Sequence, residues 1–171
     1  MKRDPLAAEI AAVSRLRGTF KLRSGQSATE YFDKYRFESD PRLLRRVAQR
    51  MLQLLPVGTE VLAGLELGGV PIATAMSLES GLPVVFVRKS AKDYGTCQII
   101  EGQQVAGRKV ALVEDVITTG GAVADAVESV RAAGADVIVV VCAIWRGQGE
   151  PMVSRLPDLI VAPLLSSADL T

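Results

Sequence analysis

After Pro56 the sequence repeats one order of elements: a short apolar strand, a turn and an amphipathic helix. The apolar runs at residues 109–113, after the initial lysine, and at 137–144 indicate strands buried on both faces, as in a parallel sheet. Between them Val123, Val127 and Val130 mark the inner face of a helix that ends at Gly134. The other elements expected here are strands at 60–64 and 84–87 and a helix at 70–78. Alternating strands and helices predict an α/β, doubly wound domain with a mainly parallel sheet flanked by helices.

The segments outside this alternation have patterns of their own. A helix is predicted at 6–16, and residues 20–33 alternate and turn at Ser24-Gly25. Asp40 followed by Pro41 predicts the start of a helix whose inner face is Leu44, Val47, Met51 and Leu54. Residues 90–107 are polar and lack periodicity, and such a long connection inside a compact domain is usually functional or mobile. We therefore expect a flexible lid there.

The chain contains no histidine, and this absence narrows the possible chemistry. It excludes a Ser-His-Asp or Cys-His nucleophile and every zinc site with histidine ligands. A catalyst of this composition depends on carboxylates, cations, backbone dipoles or a bound metal. Cys97 and Cys142 are far apart and form no CxxC motif, which argues against a disulfide framework and suits a reducing cytosol.

Charge and hydropathy give no sign of a nucleic-acid or membrane partner. The net charge is +1, so any anion site has to be local. The arginines at 42, 45, 46 and 50 fall on one helical face, which we interpret as solvated rather than as a nucleic-acid patch. We find no signal peptide and no apolar stretch long enough to span a bilayer, and a cytoplasmic location is expected.

A loop of small residues follows the strand at 109–113 and opens the next helix. Ligands of open α/β sheets bind outside the carboxyl ends of the strands, which is where this loop is expected. Its backbone N–H groups and the helix N-terminus attract an anion. Thr118 and Thr119 add hydroxyl donors. Gly120 and Gly121 let the backbone approach a ligand without a Cβ in the way. The loop is therefore predicted to bind a phosphate group.

Two adjacent carboxylates, Glu114 and Asp115, stand between that strand and that loop. Carboxylates repel phosphate, so we expect them to face the 2′ and 3′ hydroxyls of a ribose instead. The structural alternative is that they only cap the next helix while Thr118-Thr119 closes a turn. An acidic pair, Thr-Thr and Gly-Gly in one run favour the ligand site, and no Walker A or GxGxxG motif is present. At a strand end in an open cleft, each carboxylate should be replaceable by an amide without strain.

The run 109–122 resembles the phosphoribosyl-diphosphate-binding signature of the type I phosphoribosyltransferases. Residues 86–96 resemble the catalytic loop of the orotate-specific members of that family, whose pattern is Arg-Lys-x-x-Lys-Asp-His/Tyr-Gly. Weaker matches are residues 20–33, which are similar to the family's N-terminal substrate hood, and 65–71, similar to its diphosphate loop. Arg146 matches the arginine that binds the orotate carboxylate, for which a bidentate guanidinium is suited.

The resemblance implies a reaction in which a base nitrogen displaces diphosphate from C1 of phosphoribosyl diphosphate. Lys92, Glu114 and Asp115 are the implied catalytic residues. The implied phosphoribosyl-diphosphate-binding residues are Arg88, Lys89, Lys92, Tyr94, Glu114, Asp115, Val116, Ile117, Thr118, Thr119, Gly120, Gly121 and Ala122. The implied orotate-binding residues are Thr118, Arg146, Tyr31, Phe32 and Arg23. The implied cofactor is Mg²⁺, carried by the diphosphate and the ribose hydroxyls without a direct protein ligand.

The same resemblance implies one domain over residues 1–171, with a hood at about 1–40, a core at about 41–171 and a lid at about 88–107. It also implies a homodimer whose lid acts on the partner's site. The chain departs from the family pattern at Arg23, Gly68, Tyr94 and Trp145. Two alternatives therefore stay open: transfer to another base, a purine or uracil, and a regulator that binds a nucleotide without turnover.

Overall fold

The computed structural model describes residues 4–21, 25–90 and 99–171. The helices are α1 (Pro5–Ser14), α2 (Tyr35–Glu38), α3 (Pro41–Leu52), α4 (Gly69–Ser80) and α5 (Gly121–Ala132), with a 3-10 helix at Ser167–Leu170. The strands are β1 (Arg15–Lys21), β2 (Ser27–Phe32), β3 (Val61–Leu65), β4 (Val84–Val87), β5 (Ile100–Glu101), β6 (Lys109–Ile117), β7 (Asp136–Trp145) and β8 (Val161–Ser166). No helix in the described ranges is long and apolar enough to cross a membrane.

Six strands form the main sheet in the order β5-β4-β3-β6-β7-β8. All neighbouring pairs are parallel except β4 and β5. The predicted α/β doubly wound architecture is therefore confirmed. Strand β6 continues to Ile117, four residues past the end of the apolar run, because its pairing with β7 continues through Glu114 and Val116. Strand β8 and the 3-10 helix were not predicted.

Alternate residues of the central strands pack into two different cores, as the period of a strand requires. On one face the odd-numbered residues of β3 and the even-numbered residues Val110 and Leu112 of β6 contact α5. On the other face Leu62, Ala111 and Val113 contact α1, α3 and α4. The apolar runs of the sequence thus reflect burial on both faces. The predicted inner face of α5, formed by Val123, Val127 and Val130, is buried as expected.

Helix α3 begins as predicted. The Asp40 carboxylate accepts hydrogen bonds from the N–H groups of Arg42 and Leu43, and Pro41 occupies the first turn. Its buried residues are Leu43, Val47, Ala48 and Met51, so Leu44 is only partly buried and Leu54 lies beyond the helix end. The arginines at 42, 45, 46 and 50 form ion pairs with Asp40, Glu79, Glu9 and Asp4, respectively. Their charge is balanced by neighbouring carboxylates, which fits the interpretation as a solvated face.

The N-terminal segment forms a separate antiparallel pair of strands, β1 and β2. Helix α1 ends at Ser14, two residues before the predicted end, because the chain enters β1 at Arg15. The predicted turn includes Gly25, whose φ of 86° is in the left-handed region. Of the predicted lid, residues 91–98 lie outside the described residues. Its second half contains β5, which pairs with β4 as a hairpin arm, and Val105 is buried in the core.

Candidate active site

A cavity of about 430 Å³ opens at the carboxyl ends of β3, β4 and β6. Open α/β sheets bind their ligands at this edge. Besides Lys34 and Tyr35 from the N-terminal segment, the lining residues are Leu65, Glu66, Leu67, Val87, Arg88, Lys89, Ile99, Glu114, Asp115, Val116, Ala122, Asp125, Ala126 and Ser129. The structure thus brings together the acidic pair, the first two residues of the predicted lid and the start of α5.

The acidic pair lies within strand β6, and the expectation of a strand end in an open cleft was wrong for Asp115. The Asp115 residue is 1 % exposed, whereas Glu114 is partly exposed. The cause is the continuation of β6 to Ile117, which places the two carboxyls between its paired neighbours. An amide at position 115 would leave the partly buried Lys34 ammonium without its counter-charge, so a substitution there affects folding as well as chemistry.

The Asp115 carboxylate is held by two contacts and is bounded on a third side by a glycine. The Lys34 Nζ atom lies 2.5 Å from Asp115 Oδ2, forming an ion pair. The Val116 N–H donates to Asp115 Oδ1 at 2.5 Å. On the third side, a Cβ built on Gly68 would lie 1.6 Å from Asp115 Oδ2, so only a glycine leaves room for the carboxylate. The departure at Gly68 therefore has a steric reason in this structure.

A third carboxyl group, Glu38 of α2, is buried in the same place. Glu38 is 6 % exposed, and its two oxygens find no hydrogen-bond donor among the described residues. Burial, and then the negative charge of Asp115, raise the pKa of Glu38 to about 8. A proton on Glu38 turns one oxygen into a donor toward the Asp115 carboxylate, which explains how two acidic groups remain in contact.

Ionisation is divided unequally within the acidic pair. Burial, together with the neighbouring Asp115 carboxylate, raises the pKa of Glu114 to about 9. Burial also favours a raised pKa for Asp115. Hydrogen bonds from Glu114 and Lys34 outweigh this effect, so the pKa of Asp115 is lowered. For Lys34, the Asp115 carboxylate outweighs burial and raises the pKa. At neutral pH, Asp115 is thus the ionised member, Glu114 is neutral and Lys34 is charged.

The predicted phosphate loop has the expected backbone form. Gly120 has a φ of 76°, which a side chain rarely adopts, and α5 begins at the next residue without a side-chain cap. Thr118, Thr119, Gly121 and Ala122 are exposed beside the cavity mouth, whereas Ile117 is buried. Uncapped N–H groups at the first turn of a twelve-residue helix attract an anion. Val116 lines the cavity itself.

The lid residues Arg88 and Lys89 line the cavity opposite this loop. The Arg88 N–H donates to the Ile99 carbonyl, and the Lys89 N–H donates to Glu66 Oε2 at 3.2 Å. These backbone contacts leave the Lys89 ammonium exposed toward solvent. Lys92 and Tyr94, which the resemblance places in the catalytic loop, lie outside the described residues, as does Arg23 of the hood.

The predicted base-binding residues are brought together in part. The Arg146 guanidinium lies over the Phe32 ring, 5.7 Å from its centroid, in a cation–π contact. The backbone N–H of Arg146 donates to the Ile117 carbonyl, which holds Arg146 beside the predicted phosphate loop and next to Thr118. Tyr31 points to the opposite face of β2 and packs against Phe20 instead. Phe32, rather than Tyr31, is thus the aromatic partner of Arg146.

Trp145, a departure from the family pattern, has a structural role here. Its ring is 5 % exposed, and its indole N–H donates to the Gly149 carbonyl at 3.3 Å. A Cβ built on Gly147 would lie 2.2 Å from that ring and 2.8 Å from the Thr118 carbonyl. The tryptophan therefore shapes the loop after β7 that presents Arg146, and it does not enter the cavity.

Sequence reasoning missed Lys34 and Glu38. Lys34 immediately precedes the short helix α2, and Glu38 is the last residue of that helix, four positions later. Phe37, between them, is buried. This spacing resembles any surface helix with an i,i+4 charge pair. No local pattern connects them to Asp115, which is distant along the chain.

The carboxyl groups of the site do not form a closed metal cage. Among residues 4–21, 25–90 and 99–171, no three His, Cys, Asp or Glu side chains are arranged to hold a metal ion. Mg²⁺ usually keeps several waters and binds through one or two carboxylates plus substrate phosphates. Glu114 and Asp115 line the cavity, so they are placed to face a ligand that itself carries the ion rather than to enclose the ion.

The fold, the acidic pair and the loop at the start of α5 define a class of protein. Residues 37–162 match the phosphoribosyl transferase domain model, and the chain belongs to that family. Its relatives include orotate phosphoribosyltransferases. That of Nocardioides sp. is 62% identical over 166 residues, covering 96% of this chain and 92% of the relative. That of Methanocella arvoryzae is 41% identical over 153 residues, covering 90% and 87%.

A solved structure supports the same grouping. The orotate phosphoribosyltransferase of Mycobacterium tuberculosis, in complex with 5-phospho-α-D-ribosyl 1-diphosphate, superposes with a TM-score of 0.80. The sequence identity is 31%, and the match covers 97% of this chain and 99% of that one.

The buried carboxyl Glu38 predicts that stability falls with rising pH. Its pKa is raised from 4.5 to about 8, so the folded chain holds a proton that the unfolded chain releases between those values. The contribution of Glu38 to stability is therefore full below pH 4.5 and is lost as pH rises through 8. Glu38→Gln, a neutral mimic of the protonated acid, should reduce the fall in Tm between pH 6 and 9 by about 3 °C or more. Glu9→Gln, an exposed glutamate paired with Arg46, is the control. Equal slopes for Glu38→Gln and the wild type in calorimetry would contradict the buried proton.

Proposed function

We propose that this chain is an orotate phosphoribosyltransferase. It transfers the 5-phosphoribosyl group from phosphoribosyl diphosphate to orotate, giving orotidine 5′-phosphate and diphosphate in de novo pyrimidine (UMP) biosynthesis. The observation that carries this proposal is the 62% identity to an orotate phosphoribosyltransferase over nearly the whole of both chains. The juxtaposition of the acidic pair, the phosphate loop and Arg146 supports it.

The reaction needs positioning and charge stabilisation rather than a protein nucleophile. A nitrogen of orotate forms a bond to C1 of the ribose while the bond from C1 to the diphosphate oxygen breaks, and the electron pair leaves with the diphosphate. Positive charge develops on the ribose ring in the transition state. The ionised Asp115 lies on the cavity floor, where it accepts from a ribose hydroxyl and stabilises that charge. The neutral Glu114 donates to, or accepts from, the second hydroxyl.

Anionic groups of the substrate bind on two sides of the acidic pair. The 5′-phosphate binds the loop at 118–122, where hydroxyls and the N-terminus of α5 supply donors. The diphosphate binds Arg88 and Lys89 across the cavity, together with Lys92 and Tyr94 of the lid. Cations at the leaving group stabilise the negative charge that builds up there.

We assign the cofactor as Mg²⁺, with the diphosphate and the ribose hydroxyls as its ligands. When bound, the ion neutralises part of the charge on the leaving diphosphate. Asp115 and Glu114 are the residues that would face the hydroxyls carrying it. The hood, core and lid remain a proposed division of one domain, and the cytoplasmic location remains a prediction.

A base panel tests the proposal. The purified chain is mixed with phosphoribosyl diphosphate and magnesium, and diphosphate release is measured with orotate, uracil and hypoxanthine in turn. Orotate alone should be consumed, with a fall in its ultraviolet absorbance. Turnover of hypoxanthine or uracil without orotate would replace the substrate and keep the reaction. Binding of phosphoribosyl diphosphate without any diphosphate release would make the chain a non-catalytic nucleotide-sensing protein.

Arg146→Ala tests the assignment of the base carboxylate. The variant should raise the KM for orotate at least tenfold, because one charge-assisted contact worth about 1.5–3 kcal/mol disappears. The KM for phosphoribosyl diphosphate should stay within about twofold, since the phosphate loop is unchanged. Arg131→Ala, an exposed arginine at the end of α5, is the matched control and should alter neither constant. Equal weakening for both substrates in Arg146→Ala would show that Arg146 supports the loop rather than the base.

We further propose a two-fold homodimer in which Lys92 of each protomer acts on the partner's site. The predicted lid at 88–107 is expected to be long enough to leave its own protomer, and in the resembled family lid lysines reach the neighbour's site. Lys92→Ala and Asp115→Asn should each be nearly inactive alone. After co-refolding equal amounts, half of the dimers are mixed and one of their two sites is intact, so about a quarter of all sites should recover. Lack of recovery in a preparation whose dimers are demonstrated by light scattering would mean that Lys92 acts within its own protomer.

A further inference from the structure

The Lys34 side chain connects the N-terminal segment to the floor of the cavity. Lys34 lies between β2 and α2, and its side chain is 33 % exposed. Its ammonium reaches Asp115 Oδ2 at 2.5 Å and lies 5.2 Å from the centroid of the Tyr35 ring. A cation in contact with a nearly inaccessible carboxylate is held far more firmly than one on an exposed surface.

The charges around Asp115 are strongly unbalanced without Lys34. Within the described ranges, Lys34 is the cation that forms an ion pair with Asp115. The other titratable groups that face this cluster are acids: Glu38 and Asp33 from the N-terminal segment, Glu114 on β6, and the buried thiol of Cys142 on β7. Tyr35 lies beside the ammonium, and Glu66, Arg88 and Lys89 border the cavity farther out.

The same ion pair also orients the carboxylate. Oδ1 accepts from the Val116 N–H, and Oδ2 faces the ammonium in the space left by the missing side chain of Gly68. A neutral residue in place of Lys34 would remove both a hydrogen bond and a positive charge that favour the ionised form of Asp115. Only the hydrogen bonds from Glu114 and from the Val116 N–H would then oppose burial, which favours the protonated form. A protonated Asp115 lacks the charge that a developing ribose cation requires.

We propose that Lys34 is a positioning residue of the transferase, whose ammonium keeps the Asp115 carboxylate ionised and oriented for the ribose hydroxyls. The inference rests on the role proposed for Asp115. Lys34 acts through Asp115, so its loss is felt most where Asp115 takes up a proton.

The test is the pH dependence of kcat/KM for phosphoribosyl diphosphate in Lys34→Met, which removes the charge and keeps the length of the side chain. The acid limb of the profile should shift to higher pH by at least about one unit relative to the wild type. The reason is that kcat/KM reports ionisations of the free enzyme. The substrate's own ionisation is the same for both proteins. Lys34→Arg should return the limb to the wild-type position. Lys109→Met, at the opposite end of β6, is the control and should leave the profile unchanged.

A lysine that only stabilises the fold would lower activity at every pH and leave the acid limb in place, and that result would overturn the inference. If Lys34→Met does not fold, the double variant Lys34→Met/Glu38→Gln removes one of the crowded acids and is measured instead, with the same criterion. Asp115→Asn separates the two proposals. If Asp115→Asn is inactive and the acid limb of the Lys34→Met profile stays at the wild-type pH, only the role of Lys34 is overturned. Full activity of folded Asp115→Asn overturns the role of Asp115 and the inference that rests on it.

Discussion

The burial of one carboxylate, Asp115, within a central strand constrains the whole site. A charged group with 1 % exposure needs a counter-charge and hydrogen bonds, because desolvation costs several kcal/mol. Lys34 supplies the charge from outside the sheet, which ties the N-terminal segment to the cavity. Glu38 and Glu114 adapt by holding protons, and their pKa values are raised to about 8 and about 9. The ionisation of the site is thus a property of the folded cluster.

Close backbone packing makes room for this cluster. A Cβ on Gly68 would overlap the Asp115 carboxylate, and one on Gly69 would lie 2.2 Å from the Val113 carbonyl. The start of helix α4 can therefore press directly against β6. These two glycines act by leaving space rather than by adopting a left-handed conformation, which distinguishes them from Gly120 in the phosphate loop.

The loop after β7 shows how an unusual residue is accommodated without loss of the site. Trp145 fills the core beneath the loop and donates to the Gly149 carbonyl, while Gly147 passes against the ring. Arg146 is consequently held beside Ile117 by its backbone N–H, with its guanidinium over Phe32. A tryptophan beside Arg146 therefore leaves the guanidinium accessible, because Trp145 is buried in the core whereas Arg146 is exposed.

The sequence by itself determined the alternation of strands and helices, the capped start of α3, the buried face of α5 and the glycine turn that leads into that helix. Each of these depends on residues that are near in the chain, where periodicity, caps and glycine positions act locally. Only the tertiary structure decided that Asp115 is buried, that Lys34 and Glu38 surround it, and that Phe32 rather than Tyr31 meets Arg146. These contacts join segments that are distant along the chain. The four-residue spacing of Lys34 and Glu38 is the same whether the two side chains face water or a buried carboxylate. Burial and ionisation follow from packing between layers, which no local pattern encodes.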